Sequence, residues 1–248
     1  MRSLENLVVL ITGAGKGLGR SHALLMAERG ADLIVQDENV SAVEETAALV
    51  SKLGRRAEPI SSDVADAQST QTAIMGAEAK LGRIDVLVNN AGISGQHMEI
   101  EAIEPARLQR MLAVHVGGAF HCVQAVVPGM KRRRSGAIVN TSSAWGMTGW
   151  PVSSHYCAAK AALLGATKAW AKEFAPYNIR VNAIAPGWID TGKFPADKVG
   201  QWTRGIPLGR FGRPIEISAL VAFLASPESG FITGQVVSAN GGETIVGI

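Results

Sequence analysis

Short apolar runs alternate along the chain with longer segments whose apolar residues recur every three or four positions. Residues 7–12 (LVVLIT) form a branched, apolar run that ends in a glycine cluster. Similar runs lie at 32–36, 57–61, 86–89, 137–141, 179–185 and 235–238. Between them, segments such as 41–53 place Val43, Ala47, Val50 and Leu53 on one side of a helix. Strands that are apolar throughout suit a sheet covered on both faces, and their alternation with helices implies parallel pairing. No internal repeat and no Pro-, Ser- or Gly-rich linker divides residues 1–248. The expected architecture is α/β: one doubly wound domain with a mostly parallel, seven-stranded sheet and helices on both faces. Residues 186–214 mix Gly, Pro, Trp and charge without a clear period. They follow a strand at the carboxyl end of the sheet, where open α/β folds bind ligands. A substrate lid is the functional reading, and an ordinary surface excursion is the bland one.

Composition narrows the classes. Of 248 residues, 47% are hydrophobic and 18% charged, which excludes an intrinsically disordered chain. Net charge is only +3, and the charges are scattered, so no nucleic-acid partner is expected. Cys122 and Cys157 stand far apart with no CxxC, so neither a disulfide framework nor a cysteine-rich zinc site is expected. His22, His97, His121 and His155 show no metal-ligand spacing, so no metal is expected. The first apolar run is too short for a signal peptide, and no uninterrupted run approaches the ~18 apolar residues of a membrane span. A soluble, cytoplasmic protein without a membrane partner is the expectation.

Two groups of residues carry chemistry. The first is Thr12-Gly13-Ala14-Gly15-Lys16-Gly17-Leu18-Gly19, between a strand and a helix that opens near Leu18. Glycines there let the backbone turn sharply and approach a pyrophosphate, which the helix amino terminus then attracts. The spacing is TGxxxGxG rather than GxGxxG. Asp37 ends the second strand, where a carboxylate accepts hydrogen bonds from ribose hydroxyls and repels a 2′-phosphate. That favours NAD over NADP, although Lys16 pulls the other way. The bland reading of Asp37 is a solvated strand end. The second group is Tyr156 and Lys160, four apart on one helix face. An ammonium beside a phenol lowers its pKa and makes it a usable acid–base group. A lone YxxxK is common by chance, and a surface pair is the alternative.

The glycine turn, Asn89-Asn90-Ala91-Gly92, Ser143 and Tyr156-x-x-x-Lys160 occur together and in order. From Leu7 to about Gly242 the chain resembles the short-chain dehydrogenase/reductase superfamily, whose fold is a Rossmann domain. The resemblance implies that Tyr156 exchanges a proton with the substrate oxygen and that Ser143 hydrogen-bonds it. Lys160 would lower the Tyr156 pKa and bind the nicotinamide ribose. Asp63 and Val64 would lie beside the adenine, Asn90, Ala91 and Gly92 along the cofactor, and Pro186, Gly187, Ile189 and Thr191 around the nicotinamide carboxamide. Ile232–Gln235 and Asn240–Gly242 resemble the family's closing motif. His115 stands where the family usually has an asparagine that holds a relay water. Its helical stripe with Leu108, Met111, Leu112 and Ala119 should point it inward, either to take over that role or to pack as a core histidine.

Trp145, Trp150, Trp188 and Trp202, with Ile93, Met147 and Phe194, suggest apolar pocket walls, though core packing explains any single tryptophan. A bulky or cyclic secondary alcohol or ketone is the expected substrate. The rival is an NADPH-dependent 3-oxoacyl-acyl-carrier-protein reductase, whose acidic carrier would dock on Lys131-Arg132-Arg133-Arg134. Asp37 and Tyr177, which replaces a second docking arginine, count against it. A non-catalytic scaffold is disfavoured because Tyr156 and Lys160 are both present. The resemblance also implies a homotetramer packed through helices around 108–130 and 153–174.

Overall fold

The structure, a computed structural model, describes residues 3–95, 97–192 and 196–245. Its first half runs β1 (Val8–Thr12), α1 (Gly17–Glu28), β2 (Asp32–Asp37), α2 (Val40–Lys52), β3 (Ala57–Ser61), α3 (Ala67–Leu81) and β4 (Val86–Asn89). The second half runs α4 (Pro105–Leu112), α5 (Gly118–Arg133), β5 (Gly136–Thr141), α6 (Ala144–Thr148), α7 (Ser154–Phe174), β6 (Ile179–Ile184), α8 (Ala196–Trp202), α9 (Pro214–Ala225) and β7 (Val236–Val237). All seven strands share one sheet in the order β3-β2-β1-β4-β5-β6-β7, and every pairing is parallel. This is the expected doubly wound, seven-stranded sheet.

Strand burial explains why the sequence pattern was readable. Every residue of β1 and β4 is buried, because helices cover both faces. Val9, Ile11, Leu33 and Val35 pack with α1, α2 and α9 on one face. Val8, Leu10, Ile34 and Leu87 pack with α3, α5 and α7 on the other. The edges are less regular. β3 carries Pro59, which an edge strand tolerates because one side needs no ladder donor. β7 shrinks to two residues against the expected four.

One helical stretch, Pro105–Arg133, is long and apolar enough to span a membrane by length and composition. Half of that window is buried, as in a core helix, and residues 113–117 form a π turn between α4 and α5. The sheet order reverses between β1 and β4, and the glycine turn and Asn89–Gly92 meet at that switch point.

Candidate active site

Two adjoining cavities open above the carboxyl ends of the strands. One, of about 490 Å³, is lined by Gly13, Lys16, Gly17, Leu18, Gly19, Asp37, Asp63, Val64, Asn90, Ala91 and Gly92, together with Glu38 and Arg110. The other, of about 420 Å³, is lined by Ser143, Tyr156, Lys160, His115, Ile93, Trp145, Trp188, Pro186, Gly187, Ile189 and Thr191. Leu18, Asn90, Gly92, Ile93 and Thr191 border both.

The glycine turn is pinned to the end of β2. Gln36 accepts at its carbonyl from Ala14 N–H (2.8 Å), and Asp37 Oδ2 accepts from Gly15 N–H (2.9 Å). Gly15 therefore supports the cavity from behind rather than lining it. Thr12 does likewise: buried, it accepts at Oγ1 from the N–H groups of Asn90 and Ala91, both at 3.0 Å. Gly13 adopts φ +63°, and a Cβ at Gly19 would strike the Gly13 carbonyl oxygen, so neither tolerates a side chain. Lys16 caps α1 without a side-chain bond, leaving the helix N–H groups free for an anion. These observations fit a dinucleotide: a cradle that Cβ atoms would fill, beside an uncapped helix terminus. Asp37 is held firmly at the cavity, since Oδ1 also accepts from Asn39 N–H at 3.0 Å.

The candidate catalytic residues lie at the junction of β5 and α6 and on α7. Ser143 lies two residues beyond β5, and its Oγ accepts from Trp145 N–H (3.2 Å), capping α6. Tyr156 and Lys160 come from α7, which Ser142 fastens to the sheet by donating to the Lys160 carbonyl (2.8 Å). Lys160 is buried; its Nζ donates to the Thr141 carbonyl (2.7 Å) and lies 5.7 Å from the Tyr156 ring centroid. The expected lowering of the phenol pKa is not seen in the protein alone. Burial pushes Tyr156 up to about 12, against the pull of its hydrogen bond to Ser143. Burial likewise brings Lys160 down to about 7. In an enclosed site both charged forms lose hydration, which disfavours each of them.

His115 points inward as expected and packs edge-on to Tyr156, with ring centroids 5.6 Å apart. Its Nε2 lies 2.9 Å from the Ile93 carbonyl oxygen and 3.2 Å from the Ile93 nitrogen, while its Nδ1 has no partner among the described residues. Burial, followed by the nearby Lys160 charge, brings its pKa to about 3, so the ring is neutral. It therefore fastens the 92–95 loop that walls the cavity beside Tyr156.

The tryptophans do converge. Trp145 meets Trp188 edge-on (5.4 Å), Trp150 stacks on Trp145 (4.9 Å) and Trp202 stacks on Trp188 (5.4 Å). Only Trp145 and Trp188 line the cavity; Trp150, Trp202 and Met147 do not. The reason is tertiary stacking, which puts Trp150 behind Trp145. Phe194 lies outside the described residues. The 186–214 excursion is closed at its base by Gly212 N–H to the Trp188 carbonyl (2.9 Å) and Asp190 N–H to the Gly212 carbonyl (2.8 Å). Several residues of the site escape the sequence motifs, among them His97, which lines the second cavity and meets Trp145 edge-on (6.1 Å). Arg110 and Glu38 line the first cavity, and Glu243 accepts from Trp188 Nε1 at 2.8 Å. Glu38 directly follows Asp37 and Glu243 directly follows Asn240–Gly242, whereas Arg110 reaches the site only through long-range packing.

The basic run 131–134 is largely engaged. Lys131 Nζ sits over the Phe174 and Tyr177 rings (5.0 and 4.8 Å), Arg133 faces Glu78 (3.5 Å), and Arg134 donates to the Pro176 carbonyl (2.8 Å).

A family model described as enoyl-(acyl carrier protein) reductase matches residues 13–244. The 3-oxoacyl-[acyl-carrier-protein] reductase of Thermotoga maritima is 43% identical over 98% of this chain and 99% of its own. A Brucella melitensis 3-oxoacyl-[acyl-carrier protein] reductase with bound NAD superposes with a TM-score of 0.92 at 39% identity, covering 99% and 94% of the two chains. Carveol dehydrogenase from Mycobacterium avium in complex with NAD superposes with a TM-score of 0.93 at 31% identity, covering 97% and 98%.

Proposed function

We propose, for a chain that belongs to the short-chain dehydrogenase/reductase superfamily and so is an oxidoreductase of CH–OH and keto groups, that it moves a hydride between NAD(H) and a neutral, bulky or cyclic secondary alcohol or ketone. The observation that carries the chemistry is the convergence of Ser143, Tyr156 and Lys160 in one cavity beside the glycine cradle. When bound, the nicotinamide gives or takes the hydride; the protein supplies orientation and the proton. Ser143 Oγ–H and the Tyr156 phenol both address the substrate oxygen. In reduction, Tyr156 gives its O–H proton to that oxygen, and in oxidation the phenolate takes it back. Lys160 favours the phenolate by its charge and holds the nicotinamide ribose. Asn90, Ala91 and Gly92 run along the cofactor, Pro186, Gly187, Ile189 and Thr191 line its nicotinamide end, and Asp63 and Val64 its adenine end.

The substrate class follows from the walls. Lys160 is the one charged side chain among the described lining residues, and it is buried. No lysine or arginine remains among the described lining residues to hold a substrate carboxylate or phosphate, while Trp145, Trp188 and Ile93 offer apolar surface. Residues 186–214 serve as the lid, since Trp188, Ile189 and Thr191 come from it. The protein acts as a homotetramer through α4, α5 and α7, where Leu108, Leu112 and Phe120 stay exposed in the single chain.

NAD is preferred because Asp37 cannot swing away from a 2′-phosphate. Unit charges ~4 Å apart repel by ~4 kcal/mol at an effective dielectric of 20, and an exposed Lys16 pair returns only ~0–1 kcal/mol. Screening trims the difference, yet ~1.4 kcal/mol is already tenfold. Titrating NADH and NADPH into the wild type and Asp37→Ser tests this. Tighter NADH binding that narrows or reverses in the variant is expected; tighter wild-type NADPH binding contradicts it. The second reading, an NADPH-dependent 3-oxoacyl-acyl-carrier-protein reductase, is favoured by the identity to the Thermotoga reductase.

A further inference from the structure

Arg110 projects from α4 across the first cavity. Its Nη1 donates to Asp63 Oδ2 at 2.7 Å, and its Nη2 lies 3.7 Å from Glu38 Oε2. All three residues line the cavity. Three chain segments thus meet at one guanidinium: α4, the turn after β2 and the turn after β3. We infer that Arg110 is a positioning residue that assembles the adenosine end of the cofactor cavity, and that it governs affinity for the adenosine-diphosphate half of the dinucleotide but not the nicotinamide half. This rests on reading the cavity as a dinucleotide site.

Geometry supports the assignment first. Asp63 Oδ1 accepts from Ala65 N–H at 3.0 Å, so its two oxygens are bonded on one side to its own turn and on the other to Arg110. Burial alone would raise the Asp63 pKa; the bonds from Arg110 and Ala65 reverse this and hold the carboxyl below its usual range. With the guanidinium removed, the Asp63 carboxylate keeps only the bond from Ala65 N–H among the described residues, although Thr70 Oγ1 still donates to the Asp63 carbonyl (2.9 Å).

Charge gives the second argument. The cavity lining carries three carboxylates, Asp37, Glu38 and Asp63, against two cations, Lys16 and Arg110. A pyrophosphate adds two negative charges near them. Removing Arg110 leaves one cation facing three carboxylates, so the loss falls on ADP-ribose, which carries both phosphates into this cavity, rather than on nicotinamide mononucleotide, which carries one and occupies the cavity that Arg110 does not line. The fork of a guanidinium also keeps N–H donors spare for the acceptor nitrogens of a purine, which a lysine point charge offers less specifically. Position on the helix supplies the contrast. Five residues later, beyond the start of the π turn, His115 faces the other cavity. One helical stretch therefore serves both halves of the site with separate residues.

The test is calorimetric titration of ADP-ribose, nicotinamide mononucleotide, NADH and NADPH into the wild type, Arg110→Met and Arg110→Lys. Arg110→Met should weaken ADP-ribose and NADH by about three- to tenfold, with Arg110→Lys intermediate, and leave nicotinamide mononucleotide unchanged. The deficit should shrink at high salt. ADP-ribose affinity unchanged in Arg110→Met would overturn the assignment, as would an equal loss for both halves. A wild type that binds NADPH more tightly would defeat the Asp37 reading, yet Arg110→Met would still weaken both dinucleotides if the inference holds.

Discussion

Tyr156 and Lys160 sit in an environment that disfavours both of their charged forms. Burial raises the phenol to about 12 and lowers the ammonium to about 7. The YxxxK spacing placed the two on one helix face, but spacing carries no information about hydration, so the direction of the phenol shift was not legible. Tyr156→Phe should bind NADH normally and lose ~10²–10⁴-fold in kcat; near-wild-type kcat would remove the phenol from the chemistry. His115 makes a separate prediction at this scale. Its folded pKa of about 3 lies below the usual value of 6.5, so its contribution is present above pH 6.5. That contribution is lost as pH falls from 6.5 toward 3, because the unfolded chain binds the proton first. Comparing denaturant stability across this window, His115→Asn should show a slope shallower by up to ~1.4 kcal/mol per pH unit than the wild type. Equal slopes would mean that the ring is not buried neutral. A separate comparison of turnover asks about the relay: His115→Asn active with His115→Leu slow would favour it, and equal rates would favour packing.

At the scale of elements, the central strands were legible because burial on both faces leaves no polar alternation to confuse them. β4 matches the expected residues at both ends, whereas β7, at the edge, does not. The π turn at residues 113–117 was invisible, since its apolar spacing continues that of the helices on either side. Motif residues at the site were legible for the same local reason that Trp150 was misplaced and Arg110 unseen. A turn or a helix face is encoded nearby, but stacking and cross-segment ion pairs are not. The glycine turn yields the sharpest element-level prediction. Gly19→Ala would press a methyl group against the Gly13 carbonyl. Overpacking of this kind costs ~1–3 kcal/mol. Thermal melting should therefore drop, and NADH affinity should fall with it as the cradle opens; unchanged values for both would mean that α1 can slide without cost.

Across the whole molecule, one all-parallel sheet brings every functional segment to the carboxyl ends of its strands. The apolar residues left exposed on α4 and α5 are Leu108, Leu112 and Phe120. If they pack between subunits, light scattering should report four chains for the wild type and smaller species for Leu112→Glu. A wild-type monomer would refute the assembly. The claim that joins cofactor, catalytic residues and tryptophan walls is that this oxidoreductase uses NAD(H) on a neutral cyclic or bulky ketone. It is tested most directly by kcat/KM for a panel of cyclic ketones and for a 3-oxoacyl thioester, each with NADH and with NADPH. The account predicts higher kcat/KM for a cyclic ketone with NADH than for the thioester with either cofactor. Preference for the thioester with NADPH would contradict it and make the acyl-carrier reductase the correct reading.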